Sequence, residues 1–330
     1  MAKSHPANLK PATALAHPNI AFIKYWGNRD DALRLPLTGS ISMNLSGLET
    51  ITTVVPDRRL KADRLTLGGV SQTGAAFERV SRFLDQVRRL ANSVVFARVT
   101  SANNFPAGAG IASSASAFAA LALAASKAYA LDLPEASLSS LARLGSGSAS
   151  RSIPDGFVEW KPGETHAESY AWSIAPPEHW ELVDLIVILD QTHKITGSSD
   201  GHKLAHTSPL NAERIAAVPG RLDVCRQAIL QCDFQALAKV TEADSEHMHA
   251  VMRTSTPSLI YQTKLTLDIL AQVKSWRDQG CAVCATVDAG PNVHVIAEKK
   301  DGQKALSRLR QIEGVLDVLV SAPSPGARLI

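Results

Sequence analysis

A chain of 330 residues exceeds what one average core supports and is long enough for two domains of about 150 residues each. Its 45% hydrophobic and 20% charged residues exclude a disordered chain, and 34 basic against 31 acidic residues, spread along the sequence, exclude the clustered basic surface of a nucleic-acid binder. Any anion it binds is small. Residues 1–10 lack an apolar signal core and no apolar run approaches about 18 residues, so neither an export signal nor a membrane span is expected.

In chain order, residues 19–23 read as a short strand and 41–55 alternate as exposed strands do. Residues 74–91 follow as a helix. It contains the densest basic run, where Arg79, Arg82, Arg88 and Arg89 alternate with apolar residues at helical spacing, which favours a solvated face over an anion groove. A strand at 94–100, a Gly/Ser loop and an Ala-rich helix at 115–130 come next, then a helix at 137–144 and a tight Gly/Ser turn at 145–152. A domain boundary is placed near residue 180, dividing the chain into 1–180 and 181–330. The second part reads as a strand at 182–189, a polar loop at 190–202 and helices over 209–251 and 258–279. Strands at 281–287 and 293–297 enclose a turn, and a helix at 303–312 and a strand at 315–320 close the α+β pattern. Cys225, Cys232, Cys281 and Cys284 lack zinc spacing and are expected to be reduced core thiols of a cytoplasmic protein.

Four clusters carry possible chemistry. Asn19-Ile20-Ala21-Phe22-Ile23-Lys24-Tyr25-Trp26-Gly27 brings a lysine and two aromatics to a strand end, where a packed stem with an exposed head is the ordinary alternative. The loop from Asn103 and Asn104 through Gly108 and Gly110 to Ser113, Ser114 and Ser116 precedes a helix, where glycines and free N–H groups favour a phosphate. It lacks the Gly-Lys-Ser/Thr of a P-loop, and Ser113 stands where the dinucleotide fingerprint has its third glycine, which disfavours an oxidoreductase. A Ser-rich helix cap is its plain alternative. Gly145-Ser146-Gly147-Ser148-Ala149-Ser150-Arg151-Ser152 gathers hydroxyls and a guanidinium able to grip a carboxylate or phosphate, or is a turn with a surface arginine. Asp288-Ala289-Gly290-Pro291-Asn292 places a carboxylate at a strand end, as a general base or as simple turn chemistry.

Together, over about residues 16–297 and with Gly156-Phe157-Val158-Glu159-Trp160 following the third cluster, these segments resemble the mevalonate diphosphate decarboxylase family of the GHMP kinases. The resemblance implies a ribosomal-S5-like N-terminal α/β domain, a ferredoxin-like C-terminal domain, an active site in the cleft between them, and a homodimer. It also implies ATP-dependent phosphorylation of the 3-hydroxyl of a 5-phosphorylated mevalonate, followed by loss of phosphate and carbon dioxide. It assigns Asp288 as catalytic aspartate, Arg151 to the carboxylate and Lys24 to the transferred phosphoryl group. Tyr25, Trp26, Asn28, Ser146, Ser148 and Ser198 fall on the substrate. Asn103, Asn104, Gly108, Gly110, Ser113 and Ser114 fall on ATP, with Mg²⁺ at Ser113.

The departures bear on the ester. Asn28 stands where a second lysine is usual, Thr38-Gly39-Ser40 replaces Asn-Ser-Ser, and Asp200-Gly201-His202 replaces a Gly-Met pattern. One cation fewer and one anion more lean toward mevalonate 5-phosphate giving isopentenyl phosphate, with the 5-diphosphate giving isopentenyl diphosphate as the alternative. Arg29, Lys194 or His202 are the groups that could restore the charge. A mevalonate 3-kinase that stops after phosphorylation, and a non-catalytic binding paralogue, compete with both decarboxylases.

Overall fold

In the computed structural model, which describes residues 8–105, 113–190 and 197–330, polar and apolar alternation decides how the first sheet faces. The strand Thr50–Pro56 is buried at Thr50, Thr52 and Val54 and more open between them, so one side meets helices and the other solvent. It pairs antiparallel with Ala12–Ala16 and with Ala97–Asn103. Arg328–Leu329, Arg64–Leu67 and Val70–Ser71 complete six strands, and Arg64–Leu67 runs parallel to Ala97–Asn103. The helices Gly74–Leu90, Ser113–Ala128 and Glu135–Gly145 pack on this sheet, with Phe83, Val87, Phe118 and Leu121 meeting Ala14, Val54 and Val99. Alanine dominates the buried positions of Ser113–Ala128, which lets that helix sit close to its neighbours.

A second sheet has the order Ala171–Ala175, Phe157–Trp160, Ser40–Asn44, Asn19–Ile23. A third has the order Val283–Val287, Val293–Glu298, Leu182–Ile188, Asp317–Ser321. The helices Asn211–Gln231 and Phe234–Thr254 join them. Their Val218, Ile229 and Leu237 share one apolar cluster with Ile20, Phe22, Ile41 and Phe157 of the second sheet and Ile186, Ile188 and Ile296 of the third. Each such side chain contributes about 1.5–3 kcal/mol relative to remaining exposed. Lys264–Asp278 and Lys299–Leu309 pack on the third sheet through Ile269, Val273, Leu306 and Leu309.

Several expectations change. The stretch 41–55 is two strands separated at residues 45–49, and the helix expected from 258 begins at Lys264, where Thr263 and Thr266 form a reciprocal cap. The polar loop 190–202 gives way at its end to the helix Ser198–Leu204. The basic face is only half solvated: Arg88 is buried against Asp63 at 2.9 Å and Arg79 reaches the Gly145 carbonyl at 2.7 Å, while Arg82 and Arg89 are exposed. Cys232 is exposed at a helix end with φ +52, unlike the three buried cysteines. The hairpin of Asn28–Asp30 and Leu35–Pro36 has no counterpart in the sequence pattern, because strands of three and two residues carry no periodicity.

Candidate active site

The strand Asn19–Ile23 is buried along its whole length and delivers Lys24 into the interior. There the Lys24 backbone leaves the sheet and is held from both sides. Its N–H donates to Asp244 Oδ2 at 2.7 Å, and its carbonyl accepts from Arg214 Nη2 at 2.7 Å. Asp244 and Arg214 are wholly buried, 3.6 Å apart, and Arg221 adds a second cation to Asp244 at 3.0 Å. The ammonium of Lys24 is not an exposed head. Lys24 is 1% exposed and its Nζ donates to Asp288 Oδ1 at 2.6 Å.

Asp288 follows the buried strand Val283–Val287. The helix Phe234–Thr254 pins that strand end: Val287 N–H donates to Ser245 Oγ at 3.1 Å and its carbonyl meets His249 Nε2 at 3.2 Å. Asp244 lies on the same helix, so one element sets both partners of the Lys24–Asp288 contact. Beyond Asp288, the turn closes with Gly290 N–H on the Asp288 carbonyl at 2.7 Å, and Asn292 Oδ1 accepts from Leu189 and Asp190.

Arg151 stands on the 3₁₀ turn Gly147–Ser152 and is 3% exposed. Nε donates to Ser42 Oγ at 3.0 Å, Nη1 to Ser40 Oγ at 2.7 Å and Nη2 to Asn19 Oδ1 at 3.2 Å. Alternate positions of the strand Ser40–Asn44 thus point the two hydroxyls to one face. Asn19 also donates to the Ser148 carbonyl and to Ser152 Oγ, which fixes the turn. Burial pushes the guanidinium down to about 10, opposed by the charges of Asp288 and Tyr25, so it stays cationic at neutral pH. The surface-arginine alternative does not hold.

Ser146 Oγ lies 3.0 Å from Ser114 Oγ and 3.4 Å from Ser148 Oγ, joining the serine turn to the first turn of Ser113–Ala128. A Cβ on Gly147 would stand 2.4 Å from the Tyr25 ring, so only glycine lets the turn approach the aromatic. Thr50 donates to Asn103 Oδ1 at 2.8 Å, and Asn104 ties the turn before Thr50 through the Gly47 carbonyl and Glu49 N–H. Gly108 and Gly110 lie outside the described residues. Beside the first turns of Ser113–Ala128 a small apolar cleft is lined by Leu65, Leu67, Val80, Val99, Phe118 and Leu121, among others.

Tyr25 packs 4.8 Å from Trp160 and 4.1 Å from His202, ring centre to ring centre. Its hydroxyl donates to Asn28 Oδ1, and Asn28 Nδ2 donates to Asp31 at 2.8 Å. Burial pushes the phenol up to about 12. Trp26 is 2% exposed and lies with Met248, Val251 and Met252; Gly201 admits its ring where a Cβ would stand 2.5 Å away. Ser198 opens the helix Ser198–Leu204. His202 Nδ1 accepts from Gly27 N–H at 2.9 Å, and burial, with Arg34, Arg214 and Arg151 nearby, pushes its pKa down to about 3. It is neutral and supplies no charge. Arg29 turns outward to Glu164 at 3.1 Å, and Lys194 lies outside the described residues. In the sequence Asn19 and Ser40 stand only as members of motifs, with no role, and Ser42, Asp244 and Arg214 are not singled out; the Ser-x-Ser spacing of the strand is the one further signal available.

A family model described as the diphosphomevalonate decarboxylase-like N-terminal domain matches residues 16–171, and the mevalonate 5-diphosphate decarboxylase C-terminal domain matches 184–319. The chain is 38% identical to the diphosphomevalonate decarboxylase of Candida albicans over 90% of its own length and 87% of that protein's. For the human diphosphomevalonate decarboxylase the figures are 36%, 88% and 77%. Mevalonate diphosphate decarboxylase from Staphylococcus aureus superposes with a TM-score of 0.92 at 37% identity, covering 97% of this chain and 98% of that one. MDDEF in complex with MVAPP, AMPPCP and magnesium gives 0.91 at 36%, covering 97% and 99%. With both halves matched by the family's models and the fold shared along nearly its whole length, the chain belongs to the diphosphomevalonate decarboxylase family of the GHMP superfamily.

Proposed function

We propose that the chain converts mevalonate 5-diphosphate and ATP into isopentenyl diphosphate, ADP, phosphate and carbon dioxide. Its class is that of an ATP-dependent carboxy-lyase. The observation that carries the proposal is the 2.6 Å contact of Lys24 Nζ with Asp288 Oδ1, within range of the Arg151 charge. A carboxylate, a cation for a transferred phosphoryl group and a cation for a departing carboxylate then share one site.

In the first step the 3-hydroxyl oxygen bonds to the γ-phosphorus, the bond to ADP breaks, and Asp288 takes or orients the hydroxyl proton. The C3–O bond then breaks with loss of phosphate, while the electron pair of the C1–C2 bond becomes the C2–C3 double bond as carbon dioxide leaves. Arg151 holds the carboxylate until that moment. Ser113 and Ser114, at a helix start whose first N–H groups have no partner within the helix, would hold the ATP phosphates. Among the described residues no three His, Cys, Asp or Glu side chains cluster as metal ligands. Ser113, at the start of the helix Ser113–Ala128, would help hold Mg²⁺, which would neutralise phosphate charge there.

The expectation of a 5-monophosphate is the less supported reading. The Candida and human relatives are both diphosphomevalonate decarboxylases, and Asp200 is exposed with Lys203 at 3.1 Å, so it adds no lone negative charge. The neutral Asn28 remains the observation in the monophosphate's favour. Supplying each ester with ATP and Mg²⁺ and following ADP and carbon dioxide tests both readings. Higher kcat/KM with the diphosphate is expected; a clear preference for the monophosphate overturns it, and ADP without carbon dioxide marks a kinase. Domains meeting near residue 180, a homodimer and a cytoplasmic setting belong to the same proposal, supported by the gap between the two family matches, the resemblance and the free cysteines. No helix among the described residues is long and apolar enough to cross a membrane.

A further inference from the structure

A diphosphate tail needs a cation that is not already committed. Among the described residues near Tyr25, most positive groups are taken. Arg151 is assigned to the substrate carboxylate and is held in place by Asn19, Ser40 and Ser42, Arg214 is buried against Asp244, and Arg29 faces Glu164 at the surface. Arg143 and Arg214 each keep Nε and Nη1 without a hydrogen-bond partner among the described residues but are wholly buried, closed to a ligand, Arg143 with Nη2 on His166 at 2.7 Å, and His202 is neutral.

Arg34 differs from all of these. It lies at the foot of the hairpin that carries Asn28, next to Leu35, which pairs with Asp30, and it holds a positive φ of 49° that a non-glycine residue seldom adopts. The side chain is half-buried. Its Nε donates to the Leu144 carbonyl at 3.2 Å, two residues before Ser146, and among the described residues its terminal nitrogens have no partner and no carboxylate pairs with it. The next carbonyl, Gly145, accepts both Nε and Nη2 of Arg79 at 3.0 and 2.7 Å. Two guanidinium groups thus sit on successive carbonyls at the end of Glu135–Gly145, with no anion between them among the described residues. The charge of Arg34 is felt at both Tyr25 and His202, which places it within reach of the aromatic end of the site. Asn28, on the other arm, is neutral and engaged with Tyr25 and Asp31.

We propose that Arg34 grips the outer phosphate of the substrate and is the residue that makes a 5-diphosphate preferred over a 5-monophosphate. The inference rests on the activity proposed above. Asn28 then serves to orient Tyr25, and the hairpin delivers its charge from the opposite arm.

The test uses Arg34→Gln, which keeps an N–H for the Leu144 carbonyl and drops the charge, beside Arg34→Lys. KM for the diphosphate should rise about 10- to 100-fold in Arg34→Gln, with kcat within about threefold and KM for the monophosphate nearly unchanged. Arg34→Lys should recover part of the loss, since it keeps the charge without the fork. A diphosphate KM within about twofold of the native value, in a variant melting at the native temperature, overturns the proposal. If the native chain releases no carbon dioxide from either ester, the activity reading fails by itself. The rise in melting temperature on adding mevalonate 5-diphosphate then decides Arg34: its loss in Arg34→Gln supports the grip, and its retention removes it. Should Arg34→Gln melt early, Arg34→Lys with the same two esters gives the decision, an unchanged ratio of KM values agreeing with the proposal only if Arg34→Met abolishes that ratio.

Discussion

The two ends of the site are built differently. At the reacting end, Lys24 and Arg151 are buried and each is held by named acceptors supplied by segments far apart in the chain. At the aromatic end, mutually tilted rings of Tyr25, Trp26 and His202 are joined by a short hairpin whose cation keeps donors open among the described residues. On the proposed reading, groups that act on bonds are fixed before substrate arrives, whereas the group that recognises charge waits for it.

Three changes test that division, taken in falling order of effect. Asp288→Asn keeps the shape and an acceptor for Lys24 but removes the base, and should lower kcat by about 10²- to 10⁴-fold with ATP binding retained. A loss under tenfold in a single-turnover assay would mean that Asp288 mainly orients the hydroxyl. Asp244→Asn touches no substrate but loosens the Lys24 backbone, and should lower kcat roughly 10- to 100-fold with a smaller change in KM. Combined with Lys24→Met it should cost little beyond Lys24→Met alone; fully additive losses would leave Asp244 a purely structural role.

The smallest effect belongs to the aromatic end. His202 has a folded pKa pushed down to about 3 from 6.5, so its contribution to stability is complete above pH 6.5 and is lost as pH falls from there toward 3. His202→Gln retains an acceptor for Gly27 and should flatten that decline, measured as denaturation midpoints at pH 7 and 4.5. An equally steep decline in the variant would move the cause to other groups, His249 among them, whose pKa is pushed down to about 4 by burial.

How much was legible follows from sequence distance. Lys24, Ser146, Arg151 and Asp288 each lie in a contiguous run, and the strand Asn19–Ile23 and the Ala-rich helix show their period directly. Asp244 was invisible because its partner is 220 residues away and nothing in an amphipathic helix marks one buried carboxylate. Arg88 passed for a solvated residue because Asp63 lies 25 positions earlier, outside any helical window. His202 was visible as a departure, but not its neutrality, which burial and three arginines impose only after folding. Arg34 was missed because its hairpin is too short to announce itself.

The apolar cluster that runs from Ile20 and Phe157 to Ile186 and Ile296 has a thermodynamic consequence. Melting either half exposes a face of the other, so the boundary drawn in the sequence is no boundary in cooperativity. Heating should give one calorimetric transition, with its measured enthalpy equal to the van't Hoff value. A severed half would carry a raw hydrophobic wall into solution and aggregate rather than fold alone.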